Sequence, residues 1–301
     1  MTELVECVPN FSEGRDLETF RALESAVRSV ERARLVDSSL DADHHRAVLT
    51  FGGEGDAVVD AALAALDVAV ERIDLSHHVG VHPRIGALDV CPFVALAATP
   101  QRVQALAREF GGRAAERHDL PVFFYGDVAT RPERRALPAL RPRGGRGLLE
   151  ALGTDPAFAP DRGPNRPHPT AGAMAVGVRE ALIAYNVDLQ TDDLALAKRI
   201  ARELRESSGG LPGVRALGLA LESRGLVQVS MNLVDWKRTG LVEVYEAVSQ
   251  GARAGGVQVH SSELIGLAPA GALDDAVATR IRLRDYDPDR QILERRLRLD
   301  P

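Results

Sequence analysis

Five of the eight histidines of this 301-residue chain lie in two short segments. His44 and His45 belong to the polar sequence SLDADHH, and His77, His78 and His82 belong to SHHVGVHPR. An imidazole can accept and donate a proton near neutral pH, because its ordinary pKa is about 6.5. Both segments fall just outside regular elements, where catalytic groups are commonly carried by a rigid frame. The clusters therefore indicate acid/base chemistry.

His82 is the strongest candidate among these histidines. The Gly-x-His-Pro-Arg sequence from Gly80 to Arg84 restricts the backbone around it and places a guanidinium two residues away. A well-placed acid/base contributes about 10²- to 10⁴-fold to a rate. We therefore predict that His82 is the catalytic residue.

The same histidines also allow a metal site. The HHxxxH spacing, together with Asp41, Asp43 and His45, offers the nitrogen and oxygen ligands that zinc or another divalent ion accepts. Gly80 and Pro83 interrupt any helix that would align the histidines of the second segment, and the sequence has no HExxH signature. We therefore predict no metal. A metal-dependent hydrolase is one alternative, and five ordinary surface or packing histidines are another.

A second constellation is GPNRPHPTAGAMAVG, which spans residues 163–177. Proline-rich turns followed by small residues allow a backbone to approach a flat ligand and to offer N–H and C=O groups to ring edges. The segment is not a P-loop, because no Gly-Lys-Ser/Thr follows it. It is either a ligand-binding loop or a surface loop that leads into a strand.

Four cationic side chains fall near turns and strand ends: Arg46, Arg84, Lys237 and Arg238. Forked guanidinium donors suit a substrate with several carboxylates, since a bidentate charged pair is about twice as strong as a neutral hydrogen bond. For each of these cations the alternative is a solvated surface charge.

Hydrophobic periodicity predicts a βαββαβ order of elements in the first half of the chain. The predicted strands span 4–8, 33–38, 46–52 and 87–96, and the predicted helices span 16–30 and 56–73. The second half repeats the order, with strands over 181–188, 214–222, 226–233 and 257–264 and helices over 192–206 and 239–254. This is the split βαβ or ferredoxin-like arrangement, so we predict an α+β protein.

The repeats define two predicted subdomains, residues 1–178 and residues 179–301. Each βαββαβ unit leaves one sheet face without helices, and something must cover that face, so a ligand cleft between the halves is expected. Residues 127–175 interrupt the pattern, because eight of the 17 prolines lie between Pro132 and Pro169. The short helical pattern RGLLEAL favours an ordered crossover over a disordered linker.

The composition of the chain limits the partners and the cellular compartment that can be expected for it. The formal net charge of −6 and the pI ≈ 5.8 argue against a nucleic-acid partner, which usually binds a basic face. Apolar stretches are short and interrupted by charge, and the acidic N-terminus does not resemble a signal peptide, so no membrane association is expected. Cys7 and Cys91 lie in apolar runs and are expected to be buried thiols in a reducing, cytoplasmic compartment.

Taken together, these residues resemble the formiminotransferase domain of the formiminotransferase-cyclodeaminase family, nearly from end to end. The most specific match is HPRIGALDVCPF at residues 82–93, and LVECVPNFSEGRD at 4–16 is similar to the family's opening strand and turn. Weaker matches are YGD at 125–127, GPNRPHPTAGA at 163–173, LIAYNVDL at 182–189, QVSMNL at 228–233 and SELIGLAP at 262–269. Several separate motifs in the same order argue against chance similarity.

The resemblance implies a homodimeric glutamate formiminotransferase that moves a formimino group from N-formimino-L-glutamate to N5 of tetrahydrofolate, its co-substrate. The family's catalytic histidine falls on His82. Arg46 and Arg84 become the candidates for the carboxylates of formiminoglutamate, with His45 and Asp41 as further substrate-binding residues. The family's folate-binding stretch falls on Gly163, Pro164, Asn165, Arg166, Pro167, His168, Pro169, Thr170, Ala171 and Gly172.

The sequence also departs from the family's pattern. Lys and Glu usually flank the glycine before the catalytic histidine, whereas Val79 and Val81 stand there in this chain, and His45 replaces the usual Asn before the hairpin arginine. Loss of that charge pair makes the pocket more apolar. Two related alternatives therefore stay open: a formyltransferase acting between 5-formyltetrahydrofolate and glutamate, and a non-catalytic folate-binding paralogue.

Overall fold

The computed structural model describes residues 3–42, 44–78, 84–221 and 224–297. The chain forms two compact units, the first ending at Arg179 and the second beginning at Glu180. Among the described helices, none has both the length and the apolar character needed to cross a membrane.

The first unit contains seven strands and four α-helices among its described residues. The strands are β1 (Leu4–Cys7), β2 (Asn10–Phe11), β3 (Ala33–Asp41), β4 (Arg46–Glu54), β5 (Leu88–Ala95), β6 (Val122–Gly126) and β7 (Met174–Val178). The helices are α1 (Leu17–Arg28), α2 (Gly55–Arg72), α3 (Pro100–His118) and α4 (Arg146–Ala151).

Helix α1 illustrates how local sequence sets these elements. Asp16 caps its N-terminus, because the carboxylate accepts hydrogen bonds from the N–H of Glu18 at 2.9 Å and from the hydroxyl of Thr19 at 2.6 Å. Phe20, Leu23 and Val27, spaced three and four residues apart, form the stripe that the helix buries.

The first sheet combines an antiparallel part with a parallel part. β3 pairs with β4, β4 pairs with β1 and β2, and both of these short strands also pair with β5, all antiparallel. β5 then pairs with β7, and β7 with β6, in parallel. The predicted βαββαβ order is therefore present with the short strand β2 added to it, and β7 and β6 extend the sheet beyond it.

The described residues of the first unit form two apolar clusters. The larger packs α1, α2 and α3 against the sheet, with Phe51, Leu66 and Phe110 among its fully buried side chains. The smaller joins strand residues such as Phe123 to Leu140 and Leu148. The last two belong to residues 127–175, named here the crossover segment. Leu140 and Leu148 thus supply apolar cover to strands β5, β6 and β7.

The second unit has a four-stranded antiparallel sheet in the order β11–β8–β10–β9. Its strands are β8 (Ile183–Leu189), β9 (Val214–Leu221), β10 (Leu226–Leu233) and β11 (Val259–Ile265). Its helices are α5 (Leu194–Leu204), α6 (Leu241–Ala254), α7 (Asp275–Arg280), α8 (Pro288–Gln291) and α9 (Leu293–Arg296). The strand order equals that of β5, β1, β4 and β3 in the first unit, which confirms the predicted α+β class with two ferredoxin-like repeats.

The two cysteines meet inside the first unit. Cys7 of β1 and Cys91 of β5 are free thiols with no exposed surface, and their Sγ atoms lie 3.4 Å apart. The expectation of buried thiols is confirmed. Burial raises the pKa of Cys7 well above its ordinary value, and the hydrogen bond with Cys91 adds to this effect.

Candidate functional site

A small pocket in the first unit brings together three of the predicted substrate-binding residues, His45, Arg46 and Arg84. The other lining residues are Asn10, Phe11, Ser12 and Asp89. The lining residues therefore come from β2 and the residue after it, from the end of the β3–β4 hairpin, and from residues 84–89, which include the start of β5.

The end of the β3–β4 hairpin positions two of these side chains. Asp41 faces Arg46 across the hairpin, and His45 adopts a left-handed backbone conformation with φ of 51°. The Asp41 carboxylate is directed to His44, whose Nδ1 lies 2.6 Å from Oδ2 and whose N–H donates to Oδ1 at 2.9 Å. Asp41, the fourth predicted substrate-binding residue, thus lies at the same hairpin end with its carboxylate engaged by His44.

His78 contacts two of the residues that line the pocket, His45 and Arg84. Its ring meets that of His45 edge to face, with centroids 3.9 Å apart and an interplanar angle of 79°. The Nη1 atom of Arg84 contacts both nitrogens of the same imidazole. His78 belonged to the histidine cluster seen in the sequence, but its contact with Arg84 was not predicted.

The environment favours the neutral form of both of these imidazoles. Burial, followed by the charge of Arg84 and by His45, lowers the pKa of His78 to about 4. Burial also lowers the pKa of His45, against the opposing effect of Glu13, whose Oε1 lies 3.9 Å from His45 Nε2. The two neutral rings can exchange hydrogen bonds with a ligand, while the guanidinium groups of the pocket supply its positive charge.

Glu13 is held in place by the backbone that follows it. Its Oε1 accepts hydrogen bonds from the N–H groups of Gly14 and Arg15 at 2.8 Å and of Asp16 at 2.9 Å. This turn precedes helix α1 and lies within NFSEGRD, part of the opening motif. Glu13 and Ser12 were not selected as site residues from the sequence, although the motif that contains them was.

The segment from Arg84 to Asp89, named here the RIGALD segment, carries Arg84 into the pocket. Burial lowers the pKa of Arg84, and the nearby Asp89 carboxylate raises it. Asp89 is almost completely buried and accepts the N–H of Ile85 at 2.7 Å through Oδ1. Its Oδ2 forms an ion pair with Nη2 of Arg141 at 2.5 Å. Neither Asp89 nor Arg141 was selected from the sequence.

The predicted folate-binding stretch, residues 163–172, meets the RIGALD segment through main-chain hydrogen bonds. Ala87 donates its N–H to the carbonyl of Ala171 at 3.0 Å, and Ala173 donates to the carbonyl of Ile85 at 2.8 Å. Gly172 has φ of 70°, and a Cβ there would lie 2.4 Å from the carbonyl oxygen of Ile85. A glycine is therefore required where the two motifs touch.

Side chains of the same stretch hold its shape. His168 Nδ1 accepts hydrogen bonds from the N–H groups of Ala171 at 3.0 Å and Thr170 at 3.3 Å, which assigns the proton of a neutral ring to Nε2. The amide oxygen of Asn165 accepts from the N–H of Gly153 at 3.1 Å. Arg166 forms an exposed ion pair with Asp119 at 2.5 Å. The loop is thus ordered around its own polar side chains, and from Ala171 onward it is buried.

His82 lies outside the described residues, together with Val79, Gly80, Val81 and Pro83. Asp43 also lies outside them. Within the described part of the chain, no three His, Cys, Asp or Glu side chains come close enough to hold a metal ion. The ligand set considered from the sequence included His82 and Asp43, so its geometry is not described.

Comparison with known proteins covers both units. Residues 4–179 match "Formiminotransferase domain, N-terminal subdomain", and residues 184–287 match "Formiminotransferase domain". The glutamate formimidoyltransferase of Streptococcus pyogenes serotype M1 is 41% identical over 99% of both chains. That of Thermoplasma acidophilum is 40% identical over 98% of this chain and 97% of its own. The formimidoyltransferase-cyclodeaminase of Gallus gallus is 42% identical over 94% of this chain and 53% of its own.

These similarities run through almost the whole chain and through both sheets. They confirm the resemblance found in the motifs and the prediction of an enzyme of the transferase class. The chain belongs to the formiminotransferase family.

Proposed function

We propose that this enzyme transfers the formimino group of N-formimino-L-glutamate to N5 of tetrahydrofolate and releases L-glutamate. The observation that carries the proposal is the 41% identity, over 99% of both chains, with a protein named glutamate formimidoyltransferase. The proximity of His45, Arg46 and Arg84 supports it, because an anionic substrate needs cationic and neutral polar groups close together.

The reaction needs one proton removed and one delivered. N5 of tetrahydrofolate forms a bond to the formimino carbon and loses its proton, and the bond from that carbon to the glutamate nitrogen breaks as this nitrogen gains a proton. One histidine can perform both transfers in turn, at a benefit of about 10²- to 10⁴-fold. We assign this role to His82 from its place in the HPRIGALDVCPF motif.

The substrate carboxylates are assigned to Arg46 and Arg84. Hydrogen bonds between guanidinium and carboxylate are charge-assisted, and their fork geometry fixes orientation as well as affinity. His45 would add a neutral hydrogen bond, because burial lowers its pKa. Asp41 is assigned to the substrate's nitrogen-containing end, since a carboxylate accepts hydrogen bonds from N–H groups.

Tetrahydrofolate is assigned to residues 163–172, as a co-substrate and without a metal. The ordered main chain of this stretch, anchored on the RIGALD segment, supports a role in binding a flat ring by backbone groups. Holding both substrates in one place would contribute to the rate beyond the proton transfers. We further propose, from the family resemblance, a homodimer in the cytoplasm, which light scattering and fractionation would test.

The direct test is an assay with purified protein, tetrahydrofolate and N-formimino-L-glutamate, quenched with acid. Acid converts 5-formiminotetrahydrofolate to the methenyl form, which absorbs in the near ultraviolet. His82→Ala is the variant, and His77→Ala is its control, because the His77 side chain is 87% exposed. Product from wild type and from the His77 variant, but not from the His82 variant, is the expected result.

Two outcomes would contradict the proposal. Turnover with 5-formyltetrahydrofolate and glutamate, but none with formiminoglutamate, would identify a formyltransferase. Tight tetrahydrofolate binding without turnover of either substrate would identify a folate-binding protein. Full activity of His82→Ala would leave the reaction intact and remove His82 from its assigned role.

A further inference from the structure

The carboxylate of Asp89 is one of the points at which the crossover segment contacts the RIGALD segment. One oxygen accepts the N–H of Ile85 at 2.7 Å, and the other pairs with Arg141 at 2.5 Å. Asp89 is 4% exposed and Arg141 is 17% exposed at the side-chain level. The two partners are separated by 52 residues in sequence, so this contact joins two distant parts of the first unit.

A second contact joins the same two segments. Gly145 follows Arg141 by four residues, has φ of 98°, and approaches Arg84 so closely that a Cβ would lie 2.0 Å from the Arg84 carbonyl oxygen. The short stretch 141–145 therefore touches both ends of the RIGALD segment. Ser12 also holds this segment, because its hydroxyl donates to the carbonyl of Gly86 at 2.7 Å and its N–H donates to that of Ala87 at 2.8 Å.

We propose that Asp89 and Arg141 form a positioning pair, through which the crossover segment fixes the backbone that carries Arg84 and thereby places the Arg84 guanidinium in the pocket. The pair contacts the main chain of the RIGALD segment and acts on the substrate through Arg84. Its kinetic consequence rests on the proposed function, because that proposal assigns a substrate carboxylate to Arg84.

The physical reason is that a buried ion pair constrains geometry more than it adds stability. Removing one partner leaves the other polar group buried without its ionic partner, which is strongly unfavourable. A displacement of about 1 Å in a substrate-positioning group can cost about 10²-fold in rate. Loss of Arg141 should therefore affect substrate use beyond any general loss of stability.

The chain offers a matched control for general stability. Arg134 and Asp161, in the same crossover segment, form another buried pair at 3.1 Å, with side chains 3% and 5% exposed. Arg134 also donates to the carbonyls of Ala157 and Ala159, and Asp161 accepts the N–H of Phe124. This second pair ties the crossover segment to β6, and its recorded contacts do not include the RIGALD segment.

The experiment compares Arg141→Met with Arg134→Met in the full chain, at a temperature below both unfolding transitions. Hydrogen–deuterium exchange should become about tenfold faster for the amides of residues 84–89 in Arg141→Met only. The value of kcat/KM for formiminoglutamate should fall about tenfold or more in Arg141→Met, mainly through KM, and about twofold or less in Arg134→Met. Arg141→Lys keeps the charge but loses the forked guanidinium. Its exchange rate and its kcat/KM should therefore lie between those of wild type and those of Arg141→Met.

If the amides of residues 84–89 exchange at the same rate in the two Met variants, and the variants have the same kcat/KM, the positioning role is refuted. If Arg141→Met does not fold, Arg141→Lys is compared with Arg134→Lys by the same two measurements. Absence of turnover in the wild-type protein would instead refute the proposed function, and the exchange data would still decide whether the pair fixes the RIGALD segment.

Discussion

The imidazole rings of His45 and His78 meet edge to face at 3.9 Å between centroids, one from the end of the β3–β4 hairpin and the other from the segment that follows helix α2. Both rings lie next to Arg84, which lines the pocket together with His45. It also gives the pocket a pH dependence, because protonation of either ring would place a cation beside the guanidinium that already contacts His78.

Stability is expected to fall as the pH drops from about 6.5 toward 4, because His78 has a pKa of about 4 in the folded protein and about 6.5 when unfolded. In this range the unfolded chain binds more protons than the folded chain. His78→Gln should therefore reduce the loss of unfolding free energy between pH 7 and pH 4.5, as measured by urea denaturation. His77→Gln, at an exposed position, should leave the pH dependence as it is in wild type. Equal pH profiles of wild type and His78→Gln would contradict this assignment.

Arg84→Ala is expected to raise KM for formiminoglutamate about 10- to 100-fold, since a hydrogen bond to a charged group is worth about 1.5–3 kcal/mol. Steady-state kinetics with each substrate varied in turn will measure this, and KM for tetrahydrofolate should change far less. The exposed Arg28 provides a control, and Arg28→Ala should have wild-type constants. An unchanged KM in Arg84→Ala would refute the carboxylate contact.

Gly172→Ala is expected to destabilise the first unit, because the left-handed conformation costs about 1–2 kcal/mol for a residue with a Cβ. The Cβ would in addition lie 2.4 Å from a main-chain oxygen. Gly112→Ala in helix α3 is expected to have the opposite effect on stability, since the added Cβ would have no neighbour within 4 Å. That change should stabilise by about 0.5–1 kcal/mol. Urea unfolding of both variants gives the sign of each effect.

Both thiols are expected to resist a soluble disulfide reagent in the native protein and to react fully in urea. Cys7 and Cys91 have no exposed surface, and burial raises the pKa of Cys7, so little thiolate is accessible. The colour released by Ellman's reagent with and without urea will measure this. Rapid reaction of either thiol under native conditions would show that strands β1 and β5 separate readily.

The sequence predicted the two βαββαβ repeats because amphipathic stripes such as Phe20, Leu23 and Val27 are encoded locally. It did not predict β7. That strand is buried on both faces and pairs in parallel with strands distant in sequence, so its five residues carry no alternation of polar and apolar side chains. The prediction for the first half also ended before α3 and before β6, the strand that completes the parallel part of the sheet.

The site shows the same division between local and long-range information. Arg46 and Arg84 were selected because turns and strand ends are visible in the sequence, and His45 because it belongs to a histidine-containing hairpin turn. The structure brings all three into one pocket. The pairing of Asp89 with Arg141 was not selected, because nothing in the proline-rich crossover segment indicates which arginine reaches β5. Only the folded main chain places them together.

The hydrogen bonds of Ile85 and Ala87 have a consequence for the order of folding. Their main-chain partners are Ala173 and Ala171, more than eighty residues further along the chain. Contacts of such high sequence separation form late, because the entropy of closing a long loop must be lost before they stabilise anything. A growing polypeptide that has left the ribosome only as far as residue 160 contains Arg84 but lacks these partners. The pocket should therefore mature only after the end of the first unit has been synthesised.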